Sequence, residues 1–267
     1  MSAADLRAML LADRVTHAPG VYDPASAALA VRAGHRAVHL SGAAVAATML
    51  GRPDLGFTAA TQIADRAAVL RPAVGGVPLL ADAATGYDSP ESAVWSALAY
   101  QRAGVDGLRL DDVDDPALAV ALITMLVERV PEVVLIAQAG GGSLGETIGR
   151  CRAYAGAGAD AVLPAGVDEG DLGRLHAELP GVPLVVSRSQ SATGGIRLTD
   201  AELADQGVRL VLHPLTAVLA ALRAASLAYR AIAAEGHAAR VDRLPLAVFA
   251  TLMEQSAAAA ETDKIDT

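Results

Sequence analysis

The chain has 267 residues, of which 53% are hydrophobic and 19% are charged, so one large globular domain is indicated and disorder over most of the length is excluded. A formal net charge of −9 argues against a surface for nucleic acid or anionic membranes, although a site for an anionic substrate can still be locally positive. A single cysteine fits a reducing cytoplasm. No uninterrupted apolar run has the roughly 18 residues of a membrane span. The N-terminal segment lacks the pattern of a signal peptide.

Short apolar runs recur along the chain, and longer amphipathic stretches follow most of them. Helical patterns between the runs include 91–103, 117–129 and 144–155. Alternation of this kind predicts a parallel sheet covered by helices. The eight predicted strands are 18–22, 37–40, 78–81, 107–110, 133–137, 161–164, 183–186 and 210–212.

A weak internal repeat supports this organisation. Four times a helical pattern ends in glycine and a strand follows, at Gly34, Gly104, Gly158 and Gly207. Glycine past a helix end adopts the left-handed conformation that terminates the helix. Eight such units predict a (β/α)8 TIM barrel within the α/β class. The alternative is an open doubly wound sheet, which the absence of a glycine-rich fingerprint after the first strand disfavours.

The C-terminal part holds one helical pattern more than a barrel needs. The pattern at 216–235 closes the barrel, and a second pattern follows at 241–254. We therefore predict a barrel over 1–236, a helical extension over 237–258 and a frayed tail over 259–267. The extra helix packs either on its own barrel or on a neighbouring subunit.

Polar residues close the predicted strands, and active sites of TIM barrels lie at those ends. Asp82 and Asp111 close two neighbouring strands. Their carboxylates are suited to Mg²⁺, and the alternative is that each caps the following helix. Arg109 lies two residues before Asp111, so both side chains project to one side of the strand. Arg109 either forms an ion pair with Asp111 or Asp82 or binds an anionic substrate.

Other polar positions have similarly open interpretations. Ser41 and Gly42 precede a helix near Ala43, which suits a carboxylate pocket or an ordinary N-cap. His213 ends the last strand, where it either faces the site or has a structural role. Cys151 lies in a helix and is predicted to be a packing residue. The histidine spacing does not match a zinc motif.

Several motifs resemble the isocitrate lyase/phosphoenolpyruvate mutase superfamily. They are PGVYDPASAALAVRAGHRAVHLSG, AAVAATMLGRPDLGF, LLADAATGYDSPESA and AGVDGLRLDD, in that order. The nearest branch in length is the 2-methylisocitrate lyase and phosphonomutase-like group. The resemblance implies a barrel whose last helix is exchanged between subunits, a homodimer or homotetramer, Mg²⁺, and small 2-oxo or 2-hydroxy carboxylic acids as substrates. It also implies chemistry next to an enolate.

The resemblance transfers to individual positions only in part. Ser41 and Gly42 match the carboxylate-binding pair, and Asp54 matches a loop aspartate near the site. Asp82 matches the first aspartate of the metal motif, whereas Ala84 replaces the second. Asp111 takes the place of a glutamate, and Gln138 stands where a substrate-binding arginine is expected.

A cysteine-bearing loop is missing. In the family's lyases a mobile loop after the position of Asp112 carries the catalytic cysteine, but here the sequence VDDPALAVALITM runs directly into the next helix. Cys151 does not stand in for that cysteine by position. The missing loop, the missing metal carboxylate and the missing arginine together indicate a reaction other than standard isocitrate or methylisocitrate cleavage.

We therefore predict a divergent carbon–carbon lyase that acts on a small 2-oxo or 2-hydroxy acid through an enolate-like intermediate. The alternatives are a metal-independent enzyme of the same fold, with Arg109 or Arg188 supplying positive charge, and a non-catalytic binding or scaffold protein. The predicted catalytic residues are Asp54, Asp111 and Arg109, and the predicted Mg²⁺ ligands are Asp82 and Asp111. The predicted substrate-binding residues are Tyr22, Ser41, Gly42, Ala43, Thr85, Gly86, Tyr87, Gln138, Arg188 and His213.

Overall fold

A computed structural model describes residues 3–53, 58–83, 89–112, 115–188 and 197–263. Eight parallel strands pair in chain order, and the last pairs with the first, so the sheet closes into a barrel. This confirms the predicted (β/α)8 barrel and rules out the open sheet. The strands are β1 (Thr16–Val21), β2 (Val38–Leu40), β3 (Leu79–Asp82), β4 (Gly107–Asp111), β5 (Val134–Ala139), β6 (Ala161–Pro164), β7 (Leu184–Ser187) and β8 (Val208–His213).

Helices surround the barrel and close its N-terminal end. The predicted helices at 91–103, 117–129 and 144–155 are confirmed to within a residue or two, and the four predicted C-cap glycines all have positive φ. A π-helical turn, Ala46–Leu50, follows α3, and a 3-10 turn, Glu169–Asp171, precedes α8. The α-helices are α1 (Ala3–Leu11), α2 (Pro24–Arg32), α3 (Gly42–Val45), α4 (Ala60–Val74), α5 (Pro90–Arg102), α6 (Pro116–Arg129), α7 (Leu144–Gly156), α8 (Leu172–Glu178), α9 (Asp200–Asp205), α10 (Thr216–Glu235) and α11 (Leu246–Asp263).

Alternation along the strands divides the buried side chains into two layers. One layer lies between the strands and the surrounding helices, and the other fills the barrel. Leu80 and Ile136 belong to the layer inside the barrel. Two residues further along the same strands, on the same face, are Asp82 and Gln138. The barrel interior therefore changes from apolar to polar towards the carboxyl ends of its strands.

Helix α1 plugs the apolar end of the barrel, a role that the sequence pattern did not reveal. Its Leu6 and Leu10 are buried in the interior layer. Arg7 fastens the helix, because its Nε donates to Asp160 at 2.9 Å and its Nη2 donates to the carbonyl of Pro131 at 2.7 Å. The opposite, carboxyl end of the barrel is left for a functional site.

The C-terminal helices differ in detail from the prediction. Helix α11 begins after Pro245 and ends at Asp263, five residues past the predicted limit of 258, since an alanine-rich stretch favours helix. Within the chain it packs against α2 and α4. In α10 only Val218 is buried, which leaves most of this long apolar helix exposed.

Gly20 lies where β1 meets the segment after β8. A Cβ placed on it would be 2.2 Å from the carbonyl oxygen of Pro214, so Gly20→Ala forces the backbone apart. We expect this change to lower the free energy of unfolding in urea by about 1–3 kcal/mol. The control is Gly149→Ala, where a Cβ meets nothing within 4 Å in exposed helix, and stability should rise by about 0.5–1 kcal/mol. Equal effects of the two changes would contradict the close approach at Gly20.

Candidate functional site

A chain of polar side chains crosses the carboxyl end of the barrel from β2 to β5. Its members are His39, Asp82, Arg109, Gln138 and Asp111, and we call it the polar chain. Each contacts the next through a hydrogen bond or ion pair. Because all five side chains lie on the inner face of their strands, they meet above the apolar interior.

Asp82 is a buried member of the polar chain, with 8% of its side chain exposed. Its Oδ1 accepts from His39 Nε2 at 2.7 Å and from Arg109 Nε at 2.5 Å, and its Oδ2 accepts from the Gly42 amide at 2.8 Å. Burial raises the pKa of this carboxyl, but Arg109 and His39 lower it more strongly, so the pKa lies well below its usual range. Asp82 is therefore ionised at neutral pH.

Arg109 connects Asp82 to the next strand. Its Nη1 donates to Gln138 Oε1, and Gln138 Nε2 donates to Asp111 Oδ2 at 2.5 Å. The ion pair expected from the sequence thus forms with Asp82. The side chain of Arg109 is 19% exposed. The arrangement can present a fixed positive charge to an anion.

The polar chain does not fit the Mg²⁺ site predicted from Asp82 and Asp111. Mg²⁺ requires several oxygen ligands in octahedral geometry, yet one Asp82 oxygen already accepts from His39 and from the guanidinium at 2.5 Å, and the other accepts from a backbone amide. Within the described ranges, no group of three or more His, Cys, Asp or Glu residues is placed to hold a metal. Position 84 supplies only an alanine.

The turn from β2 into α3 has the geometry of a helix cap. Ser41 Oγ accepts from the amide of Ala44 at 3.3 Å, as an N-cap residue does. The Gly42 amide donates to Asp82, and Ala43 is half-buried beside it. One donor expected to bind a substrate carboxylate, the Gly42 amide, is therefore committed to Asp82.

Arg188, at the end of β7, is held by a residue that the sequence did not single out. Its Nε and Nη2 donate to the two carboxylate oxygens of Glu169 at 2.8 and 2.9 Å, and Nη2 also donates to the carbonyl of Leu198. The amide of Leu198 donates to Glu169 as well. Arg188 thus fastens residues on both sides of 189–196 to the turn after β6, and its spacing from Glu169 gives no sequence signal.

His213 lies on the outer face of the barrel wall, because its neighbour Leu212 belongs to the interior layer. His213 Nε2 is 2.9 Å from His17 Nδ1, and His17 Nε2 is 3.0 Å from an Asp200 oxygen. Burial and the neighbouring His17 lower the pKa of His213 to about 4. The structure therefore does not bring His213 to the polar chain. Tyr22 is half-buried and directly follows β1.

A second buried carboxylate supports the outer side of β4. Asp112 Oδ2 accepts from Tyr154 Oη at 2.5 Å and from Arg150, while Oδ1 accepts from the Gly140 amide at 2.8 Å. Burial and Asp112 raise the pKa of the nearby Cys151 thiol to about 12. Cys151 is thus a buried, protonated packing residue, as predicted.

Four predicted site residues lie outside the described residues: Asp54, Thr85, Gly86 and Tyr87. Their roles remain predictions.

The structure adds His39 to the site. The available signal was its position two residues before Ser41, on the face of β2 that turns inward.

Comparisons with known proteins agree with the fold. A family model described as phosphoenolpyruvate phosphomutase matches residues 6–233. The chain is 30% identical over 239 residues to 2-methylisocitrate lyase of Bacillus subtilis (strain 168), covering 83% of this chain and 78% of that protein. The crystal structure of 2,3-dimethylmalate lyase has a TM-score of 0.88 at 26% identity and 98% coverage of both chains. Oxaloacetate acetylhydrolase in complex with the product oxalate has a TM-score of 0.87 at 26% identity, covering 98% of this chain and 96% of that one.

Removal of the Asp82 charge is expected to destabilise the barrel. Asp82→Asn leaves the partly buried Arg109 without its carboxylate, which should lower the free energy of unfolding by about 2–4 kcal/mol at neutral pH. Folding lowers the Asp82 pKa, so its stabilisation is present above the unfolded pKa of about 4 and shrinks as the pH falls below it. Urea denaturation of both proteins across this range measures the difference.

The matched control is Asp171→Asn. Asp171 pairs with Arg174 on the surface at 3.2 Å, so its loss should change stability by less than about 1 kcal/mol. A difference between wild type and Asp82→Asn that stays constant from neutral pH into the acid range would contradict the ion pair.

Proposed function

Because the chain belongs to the isocitrate lyase/phosphoenolpyruvate mutase superfamily, we propose that it is a carbon–carbon lyase acting on a small 2-oxo or 2-hydroxy carboxylic acid through an enolate-like intermediate. The family match confirms the resemblance read from the motifs. The substrates named in the relatives reported above, 2-methylisocitrate, 2,3-dimethylmalate and oxaloacetate, are all acids of these two types. The observation that carries the proposal is the guanidinium of Arg109, held at the carboxyl end of the barrel between Asp82 and Gln138.

In the proposed reaction, Asp111 is the general base. For a 2-hydroxy acid, its carboxylate takes the hydroxyl proton while the oxygen forms a carbonyl and the adjacent carbon–carbon bond breaks. The electron pair of that bond passes to the leaving fragment as an enolate, which water protonates at carbon. The hydroxide that remains takes the proton from Asp111 and restores its carboxylate. Gln138, whose amide contacts both Arg109 and Asp111, fixes the base next to the cation.

Arg109 stabilises the negative charge that develops on the enolate oxygens. Interactions that strengthen as charge develops lower the barrier, and a cation anchored in advance needs little rearrangement. Ser41 and Ala43 border the same end of the barrel and stay proposed substrate contacts, as does Tyr22. Arg188 is proposed to act by holding the segment that follows β7.

Standard isocitrate or methylisocitrate cleavage is not what we propose. The catalytic cysteine that the resemblance implies would need a loop between β4 and α6, yet only residues 112–115 connect these elements. The one cysteine of the chain is buried with a raised pKa. Gln138 also replaces the expected arginine.

The proposed activity is tested with the purified protein and a panel of 2-oxo and 2-hydroxy acids, with NMR detection of products. We expect one acid to be cleaved and Asp111→Asn to lower kcat by about 10²- to 10⁴-fold, because the general base is lost. The control is Asp205→Asn, an exposed carboxylate at the end of α9, which should leave kcat unchanged. Binding of acids without any turnover would favour the non-catalytic alternative instead.

We further propose that α10 packs on a second copy of the chain, in a homodimer or homotetramer. Leu219, Leu222 and Ile232 of α10 are 45–53% exposed. A groove of about 350 Å³ between α2 and the start of α10 is lined by Leu29, Ala217 and Ala221, among others. Such apolar surfaces are typical of subunit interfaces.

The charges within α10 favour a protein partner over lipid. Within the described part of the chain, α10 is the one helix that is long and apolar enough, by length and composition alone, to cross a membrane. Arg223 and Arg230 lie inside it, however, and charged residues within a membrane span carry a high energetic cost. Together with the single cysteine, this supports an enzyme of the cytoplasm that assembles through α10.

Light scattering after size-exclusion chromatography tests this assembly. Leu222→Asp places a charge in the apolar contact and is expected to yield monomers. Leu11→Asp changes a leucine that is 77% exposed at the end of α1 and should leave the assembly intact. A wild-type chain that elutes as a monomer would contradict the proposal.

A further inference from the structure

We propose that the guanidinium of Arg109 stands in place of a divalent cation, so that the site binds the anionic oxygens of its substrate without Mg²⁺. This inference rests on the proposed function, since it specifies what neutralises charge at the same site. It departs from the Mg²⁺ that the family resemblance implies.

Three donors already converge on the carboxylate of Asp82. One carboxylate oxygen accepts from two side chains, His39 and Arg109, and the other accepts from the Gly42 amide. A metal ion bound to the first of these oxygens, Oδ1, would have to displace one of its two donors. It would also lie beside a guanidinium that is 2.5 Å from the same carboxylate, where the two positive charges repel.

The guanidinium is also fixed in position. Its Nε is anchored on β3 through Asp82, and its Nη1 is anchored on β5 through Gln138. Strand pairing places Asp82 directly beside Arg109 and Gln138 directly beside Asp111. The cation is thus held on both sides by the closed sheet, as a bound metal would be held by its ligands.

Guanidinium groups are planar, permanently charged and well matched to carboxylate oxygens, so they bind small carboxylates without a metal. With 19% of its side chain exposed, against 8% for Asp82, Arg109 is the more accessible of the two. An anion that enters the site therefore reaches the cation more readily than the buried carboxylate.

Two binding measurements test the inference without requiring a known substrate. Electron paramagnetic resonance of a Mn²⁺ titration reports metal bound to the wild-type protein. We expect no bound Mn²⁺, so the signal of free Mn²⁺ should be the same with the protein as in buffer without it. Calorimetry with oxalate, a dicarboxylate that resembles the enolate of a 2-oxo acid, reports anion binding. We expect oxalate to bind in EDTA with the same affinity as in Mg²⁺.

Variants connect the anion to Arg109. Arg109→Ala should weaken oxalate binding in EDTA by about 10- to 100-fold, the usual effect of losing charged hydrogen bonds. Arg109→Lys keeps the charge and should retain part of the affinity, which separates loss of charge from loss of folding. Arg174→Ala removes an exposed arginine and should bind oxalate like wild type. Circular dichroism of each variant checks that the barrel is folded.

Stoichiometric Mn²⁺ binding by the wild type, loss of oxalate binding in EDTA, or unchanged oxalate affinity in folded Arg109→Ala would each overturn the inference. Failure of the proposed function looks different. In that case no acid of the panel is cleaved, with or without Mg²⁺, whatever the outcome of the two binding measurements.

Discussion

The ion pair between Asp82 and Arg109 is the interaction on which the carboxyl end of this barrel depends. A carboxylate with 8% of its side chain exposed is stable as an anion only when charged and polar donors surround it. Here the donors come from β2, β4 and the first residue of α3. One buried charge therefore joins three neighbouring strands to the helix that follows β2, and it also holds the accessible cation of the site.

Along the barrel axis, apolar residues that stabilise the fold lie at the N-terminal end and the polar chain lies at the carboxyl end. At the N-terminal end, α1 inserts Leu6 and Leu10 against small and aliphatic residues, and Gly107 leaves room for Leu6. Two residues after Gly107, on the same face of β4, Arg109 belongs to the polar chain. The inner face of one strand thus serves packing at its start and charge at its end, since successive inward residues lie in successive layers of a TIM barrel.

The chain keeps the architecture of its relatives while its charged groups differ from those the resemblance implies. A TM-score of 0.88 at 26% identity shows that the backbone is shared with 2,3-dimethylmalate lyase. Gln138 stands on β5 where the resemblance places an arginine, and the guanidinium that contacts its amide comes from β4. A positive charge is therefore supplied from the adjacent strand, with Gln138 linking it to Asp111.

The sequence by itself determined the eight strands, most of the helices and the polar character of the strand ends, because apolar periodicity and helix-ending glycines are local signals. It also placed Arg109 and Asp111 on one face, since side chains two apart in a strand point the same way. Only the tertiary structure decided that Arg109 pairs with Asp82, that His213 faces outward and that α1 fills the barrel. Those outcomes depend on strand register and closure, which bring together residues such as His39 and Asp82, 43 positions apart, and which no local pattern encodes.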